Sequence, residues 1–224
     1  MSCNVKLISH TMPYGDSQGG ESLQDIIVHC ARVSNPKGQL TNESPTRLIK
    51  YLLTHGHWSP FEMASVCLEI ITTRDIARQI LRHRSFSFQE FSQRYADPTS
   101  EDASLGFSVR EARLQDPKNR QASLETADSD IKAQWEAIQE SLLDEALKAY
   151  KWAIANGLAK EQARAVLPEG TTLSRMYMHG TLRSWIHYVS IRTQQETQKE
   201  HRAVALACAK EIAKVFPLIN EFVA

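Results

Sequence analysis

The sequence predicts an α+β fold, a small, mostly antiparallel sheet packed with several long helices, in one domain covering residues 1–224. Three observations predict it. Strand-like alternation is confined to short stretches near residues 5–11, 64–70 and 171–179, helix-period apolar stripes fill most of the remainder, and the two are interspersed unevenly, without a repeating βαβ unit. A chain of 224 residues is also long enough to bury a real core.

Val5 to Thr11 reads as a short strand, followed by a Gly-rich turn at Tyr14 to Gly20 and a helix over Ser22 to Ala31. Ser44-Pro45 is a helix start, an N-cap serine with proline at the first helical position, and Gly56 supplies the stop. Between them Leu48, Ile49, Leu52 and Leu53 form an apolar stripe. Alternation of Ala64, Val66, Leu68 and Ile70 indicates a strand that feeds directly into a helix whose apolar face is Ile76, Ala77, Ile80 and Leu81.

Residues 97–130 are polar and weakly periodic, and read as a long surface excursion with room for a short helix. Ile131, Trp135, Ile138, Leu142, Ala146, Tyr150 and Ala153 then trace a long amphipathic helix over Ser129 to Asn156, closed by Gly157. Lys160 to Leu167 is a shorter helix stopped by Pro168. Thr171 to His179 alternates as a strand, and Leu182 to Arg192 and Glu196 to Val215 are helical. There is no internal repeat or low-complexity tract.

Hydrophobic residues at 42% and charged residues at 23% are globular values. The 26 basic and 26 acidic side chains balance, which argues against a nucleic-acid binder driven by global charge. Cys3, Cys30, Cys67 and Cys208 are scattered without metal-site spacing and read as reduced, mostly buried thiols. The N-terminal residues lack the apolar region of a signal peptide, and no run approaches the roughly 18 apolar residues of a membrane span. A soluble, cytoplasmic protein is the expectation.

Within this neutral chain, Arg82-His83-Arg84 is followed after an intervening seven residues by Ser92, and then by Arg94. Cations in the last turn of a helix can simply complement its macrodipole, for about 0.3–1 kcal/mol each. However, Arg74, Arg78 and Arg82 recur at helical spacing and would stack on one face, where like charges repel unless neutralised. Asp75 and Glu90 could do this from within the chain; phosphates, which guanidinium forks bind bidentately, could do it from outside.

The Arg82-His83-Arg84, seven residues, Ser92 pattern resembles the signature of the flavin-dependent thymidylate synthases, a family unrelated in fold to the cysteine-dependent thymidylate synthases. His55-Gly56-His57-Trp58-Ser59-Pro60-Phe61-Glu62 resembles that family's first flavin-contacting loop. Ala31-Arg32-Val33-Ser34 resembles an N-terminal element of its site. Ala163-Arg164-Ala165-Val166-Leu167-Pro168 resembles a substrate-binding turn, and Thr181-Leu182-Arg183 through Arg192 its late helix. The resemblance runs from about residue 5 to the C-terminus.

It implies methylation of dUMP to dTMP with methylenetetrahydrofolate as carbon donor and FAD, reduced by NADPH, as bound carrier, in a homotetramer with shared active sites and without nucleic-acid or membrane partners. The dUMP residues it implies are Gln79, Arg82, Glu90, Phe91, Ser92, Gln93, Arg94, Arg164 and Arg192, with Arg192 the catalytic cation beside the uracil ring. The FAD residues it implies are Ser34, Ser59, Glu62, Arg82, His83, Arg84, Ser85, Glu90, Thr181, Arg183 and His187, with His57 closer to pterin or nicotinamide. The residues agree with a cysteine-free route: there is no Pro-Cys-His sequence, and no cysteine has an obvious activating base beside it.

Other assignments of these residues are weaker. Ser92 lacks a paired base or nucleophile elbow, so it reads as a hydrogen-bond donor. His55, His57 and Glu62 could tempt a zinc assignment, but the His-Gly-His spacing is not a recurrent metal motif, and no metal is expected. Trp58, Phe86, Phe88 and Phe91 read as core or interface aromatics, one of which could touch a flavin or pterin ring. Thr181 and His187 stand where several bacterial members carry asparagine, and Glu196 where a histidine often follows the catalytic arginine. Two alternatives accompany the leading expectation: an NADPH-oxidising flavoprotein of the same fold without methyl transfer, and a single-strand nucleic-acid binder using the Arg74 to Arg94 surface.

Overall fold

In the computed structural model, which describes residues 4–15, 20–35, 45–100 and 105–224, the first strand β1 (Asn4–His10) pairs antiparallel with β2 (Ser65–Thr73). A late strand, β6 (Leu173–Thr181), lies on the other side of β2, and the short β3 (Ser87–Glu90) pairs with β6, giving the order β1-β2-β6-β3 with every pair antiparallel. Val66, Leu68 and Ile70 of β2 and Met176 and Met178 of β6 are all fully buried. Period-two alternation puts them on one face, and burying each such side chain is worth roughly 1.5–3 kcal/mol.

Helices cover that face. Preceding β2 are α1 (Leu23–Ala31), started by a capping box between Ser22 and Asp25, and α2 (Pro45–Thr54), which is followed by a 3-10 turn at Ser59–Glu62. α3 (Arg74–Ile80) leaves β2 without a linker, and α6 (Leu182–Arg192) leaves β6 in the same way, capped by the Thr181 hydroxyl, which accepts from the Ser184 N–H. Ser65 is paired with Thr181 and Thr73 with Leu173, so α3 and α6 begin at opposite ends of this strand pair. α7 (Lys199–Ile212) packs Val204, Ala205, Cys208 and Ile212 into the same core. Trp185 is sealed at the centre, its indole N–H donating to the Val66 carbonyl at 3.0 Å.

The polar excursion contains a two-stranded hairpin, β4 (Arg113–Gln115) with β5 (Ser123–Glu125), and among its described residues there is no helix before Ser129. The long helix α4 (Ser129–Ala155) clamps this segment: Gln139 Oε1 accepts from the Arg110 N–H and Gln139 Nε2 donates to the Arg110 carbonyl, both at 2.8 Å. Only Gln139, Leu143, Tyr150 and Ala153 of α4 are buried, whereas Ile131, Trp135, Ile138 and Leu142 face outward. Four of the seven residues of the expected apolar stripe are therefore uncovered in the single chain.

Several boundaries differ from the sequence expectations. Ser87–Glu90 is a strand that the sequence did not reveal. Lys160 to Leu167 divides into α5 (Lys160–Ala163) and a 3-10 turn at Arg164–Val166, and the last long helix starts at Lys199. Because α3 ends at Ile80, Arg82 lies beyond it and does not continue the Arg74–Arg78 row. Ser44, Cys3 and most of the Gly-rich turn lie outside the described residues.

Gly180 sits where β6 passes under Phe86; a Cβ there would come within 2.4 Å of the Phe86 ring, which is itself wedged edge-on against Trp185. Gly180→Ala should therefore destabilise the protein by about 1–3 kcal/mol through overpacking. Chemical denaturation would read this directly, and a neutral result would mean that the Phe86 ring can move aside.

Candidate active site

The end of α3, the loop after it, the end of α6 and the start of α7 converge. Arg192, in the last turn of α6, donates its Nε–H to His83 Nε2 at 2.9 Å, and the His83 ring stands edge-on to Tyr188 with centroids 4.9 Å apart. Burial foremost, then the positive charge of Arg192 and the nearby His187, pushes His83 down to about 4, so near neutrality its Nε2 lone pair is available to accept. Among the described residues no carboxylate pairs with Arg192.

Beneath this pair lies a polar chain, buried at Tyr188, His201 and Glu200 and half-buried at Gln79 and Gln198. Tyr188 Oη is 3.1 Å from His201 Nε2, His201 Nδ1 is 3.2 Å from Gln79 Oε1, Gln79 Nε2 donates to Gln198 Oε1 at 2.7 Å, and Gln198 Nε2 donates to Glu200 at 2.9 Å. Glu200 is held by Arg113 and by Arg110, which also grips Asp75 at 2.7 Å. Burial alone would push the Glu200 carboxyl up, but the hydrogen bonds from Arg113, its own backbone and Gln198, with the Arg110 charge, hold it below the ordinary carboxylate range. His201 is pushed down to about 3, by burial and then by the charges of Arg192 and His83.

Next to His83, a groove of about 640 Å³ runs between the 3-10 turn and α6, lined by Trp58, Glu62, Ser85, Arg183, Ile186 and His187 and bordered by Phe222. That volume is usual for a small-molecule site. Apolar walls with a charged rim, where Arg183 meets Glu62 at 3.0 Å, suit a flat heteroaromatic ring with polar edges. Ser59 is exposed at the start of the same turn, and Thr181 uses its hydroxyl as the cap of α6.

A third grouping lies at the far end of β3. Glu90 bonds Ser174 at 2.8 Å and pairs with Arg74 at 3.8 Å and Arg78 at 3.2 Å, and Glu169 meets Arg74 at 2.8 Å. Glu90 thus neutralises the arginine row as the sequence suggested. Asp75 instead serves Arg110, and Glu169 is a neutraliser the sequence did not disclose. Arg74 and Glu169 share a cavity of about 350 Å³ with Gln93 and Arg164, and the buried Gln93 Nε2 has no hydrogen-bond partner. Phe91 is half-buried beside Leu105 and Leu173, while Ser92 and Arg94 are exposed. Ser34 and His57 line a separate groove with Tyr51 and Arg47.

The family profile described as thymidylate synthase complementing protein matches residues 7–218. The chain is 46% identical over 217 residues to the flavin-dependent thymidylate synthase of a Synechocystis species, covering 96% of this chain and 97% of that protein. It is 45% identical over 216 residues to the probable flavin-dependent thymidylate synthase of Paramecium bursaria Chlorella virus 1, covering 96% of each. The chain belongs to the flavin-dependent thymidylate synthase family. A solved UMP/dUMP methylase of Streptomyces cacaoi, bound with 5-Br UMP, superposes with a TM-score of 0.80 at 26% identity over 99% of this chain and 93% of that one.

Of the residues that the family resemblance singles out, the fold brings Gln79, His83 and Arg192 into one network and Glu62, Ser85, Arg183 and His187 into one groove. Glu90, Gln93 and Arg164 meet around Arg74, and Ser34 and His57 stand apart. Among the described residues Arg82, Arg84, Arg94 and Arg164 have no carboxylate partner. Glu196, which stands where a histidine often follows the catalytic arginine, is exposed and has no cationic partner among them. No three His, Cys, Asp or Glu side chains are grouped as a metal site among them. Of Trp58, Phe86, Phe88 and Phe91, Trp58 lines the groove beside His83, and Phe86 is a core residue. His201, Gln198 and Glu200 escaped the sequence reading; the available sign was a histidine falling in register with the apolar Val204, Ala205 and Cys208 of α7.

The two depressed histidines set a pH dependence. The unfolded chain binds protons below about 6.5, whereas the folded chain resists until about 4 at His83 and about 3 at His201. Stability is therefore full above about 6.5 and falls as the pH drops towards 4, by up to ~1.4 kcal/mol per histidine for each pH unit crossed. Thermal melts from pH 7 to 4 should show a falling Tm, with a shallower fall in His201→Asn; parallel slopes would mean that His201 is not held neutral.

Proposed function

We propose that this chain methylates C5 of dUMP to give dTMP, taking the carbon from methylenetetrahydrofolate and reducing equivalents from NADPH through FAD. The unit is a single domain over residues 1–224, working in the cytoplasm as a homotetramer with shared active sites. The observation that carries the reading is Arg192: a guanidinium without a carboxylate partner among the described residues, oriented through its Nε–H by a neutral His83.

Among the described residues that arrangement leaves both terminal nitrogens of Arg192 for a ligand. As C5 of dUMP reacts, negative charge builds on the uracil ring, and a preorganised guanidinium stabilises it without rearranging. Gln79, Arg82, Glu90, Phe91, Ser92, Gln93, Arg94 and Arg164 would hold the nucleotide. Arg164 and Arg94 supply charge for its phosphate, and the unpartnered Gln93 amide offers a buried donor.

When bound, FAD supplies the electron transfer that amino-acid side chains cannot. The groove beside His83 fits it. Trp58 and Ile186 offer apolar contact and Glu62, Ser85, Arg183 and His187 offer polar contacts, to which Ser59 at the start of the turn, Thr181 at the helix cap and Ser34 from the separate groove would add. Arg82 and Arg84 suit its diphosphate, and His57 faces a groove suited to pterin or nicotinamide. A cysteine nucleophile is not called for: burial pushes the Cys67 thiol up, and Cys208 is sealed in the core.

Two observations support assembly. The site residues lie in separate groups on one chain, and Ile131, Trp135, Ile138 and Leu142 leave an apolar seam with 4-3-4 spacing exposed along α4. No described helix is long and apolar enough to cross a membrane.

Anaerobic incubation with FAD, dUMP, methylenetetrahydrofolate and NADPH should form dTMP, detectable by mass spectrometry, with every component required. Arg192→Ala should lower that rate by about 10²–10³-fold while flavin absorbance of the purified protein persists. Full activity in the variant would sink the electrostatic role, and NADPH oxidation without dTMP in the wild type would favour a flavoprotein that does not transfer methyl groups. Separately, Trp135→Glu with Leu142→Glu should reduce the mass measured by light scattering; an unchanged tetramer would place the interface elsewhere.

A further inference from the structure

Gln79 cannot, on its own, decide which way its amide points: rotating it by 180° exchanges an acceptor for a donor at almost no steric cost. In this fold the choice is made at a distance. Glu200 is ionised and can only accept, so the Gln198 group facing it must be the amide nitrogen and the group facing Gln79 must be the Gln198 oxygen. Gln79 must therefore turn its nitrogen to Gln198 and its oxygen to His201. His201 then carries its proton on Nδ1 to satisfy that oxygen, and its bare Nε2 accepts from the Tyr188 hydroxyl.

Each link has a single polarity, and the chain is terminated by a carboxylate that Arg113 and Arg110 anchor. His201 is fully buried and Glu200 nearly so, so neither is open to a ligand, and at the His201 ring water cannot stand in for a misdirected Gln79 oxygen. Gln79, by contrast, is half-exposed and lies one helical turn before the loop carrying His83, the partner of Arg192.

We propose that His201 and Glu200 are positioning residues for pyrimidine nucleotide recognition, locking the Gln79 amide into one orientation so that its spare N–H and spare lone pair are offered to the nucleotide in a fixed order. This rests on the reading that Gln79 touches dUMP. The role is distinct from filling the core, because it depends on which nitrogen of the histidine is replaced and not on the volume retained.

Asparagine at this position keeps an N–H near the Nδ1 position, facing Gln79, whereas glutamine keeps a polar group near the Nε2 position, facing Tyr188. The FAD-loaded full-length protein and its His201→Asn, His201→Gln and Gln79→Ala variants should be titrated with dUMP by calorimetry, with flavin content and far-ultraviolet circular dichroism measured alongside. The expected result is that His201→Asn binds dUMP within about threefold of wild type, while His201→Gln binds about tenfold more weakly, the worth of one net hydrogen bond of ~1.4 kcal/mol. Flavin content should be unchanged in both. Equal affinities in these two variants, with Gln79→Ala weakened, would overturn the positioning role alone. Undiminished affinity in Gln79→Ala would instead remove the contact on which the inference rests. Should the His201 variants fail to fold, Glu200→Gln frees both amides to flip and should weaken dUMP binding severalfold; unaltered affinity there would equally overturn the proposal.

Discussion

The antiparallel pairing of β2 with β6 is the constraint on which the rest of the structure depends. It runs unbroken from Ser65 opposite Thr181 to Thr73 opposite Leu173. Each strand passes straight into a helix, so this one register fixes where α3 and α6 begin and hence where Gln79, His83 and Arg192 end. A slip of one residue would turn Val66, Leu68 and Ile70 away from the core and rotate both helix origins with them. Gly180, under the Phe86 ring, and Trp185, bonded to the Val66 carbonyl, pin that register from the helix side.

On this frame, burial divides the polar groups by function. His83 and His201 are kept neutral by desolvation reinforced by the Arg192 charge, and neutral imidazoles can accept as well as donate. Glu200, similarly deep, keeps its charge because two guanidiniums compensate it. A charged terminus and neutral intermediates give the network a direction that a chain of amides and hydroxyls alone would lack. The cost is acid sensitivity, since protonating either histidine removes the lone pair on which its link depends.

Much of the fold was legible because long periodic segments carry their own signal. Val66 to Ile70 alternates, α6 and α7 have apolar stripes, and Gly56 and Gly157 mark helix ends with positive φ. Ser87–Glu90 and the β4–β5 hairpin were not legible, for a different physical reason. Strands of four and three residues have no periodicity of their own and exist because β6, or each other, offers a ladder. In the site, the signature arginines and Arg192 stood out through resemblance, whereas Glu169, Glu200 and His201 did not. Their roles arise from pairings across about 80 to 120 positions of sequence, which no local pattern encodes.

The arginines illustrate how the same residue type is sorted by its surroundings. Arg74, Arg78, Arg110 and Arg113 are matched by Glu90, Glu169, Asp75 and Glu200, and these pairs hold segments together. Arg82, Arg84, Arg94, Arg164 and Arg192 have no carboxylate partner among the described residues, although the chain contains as many acids as bases. A formal charge of zero thus conceals a separation among the arginines, one set matched by nearby acids and another left open. An uncompensated cation drawn out of water raises the free energy of the protein alone, as at the half-buried Arg192. An anionic ligand recovers that free energy on binding, and a ring that gains negative charge during the reaction recovers more of it in the transition state than in the ground state.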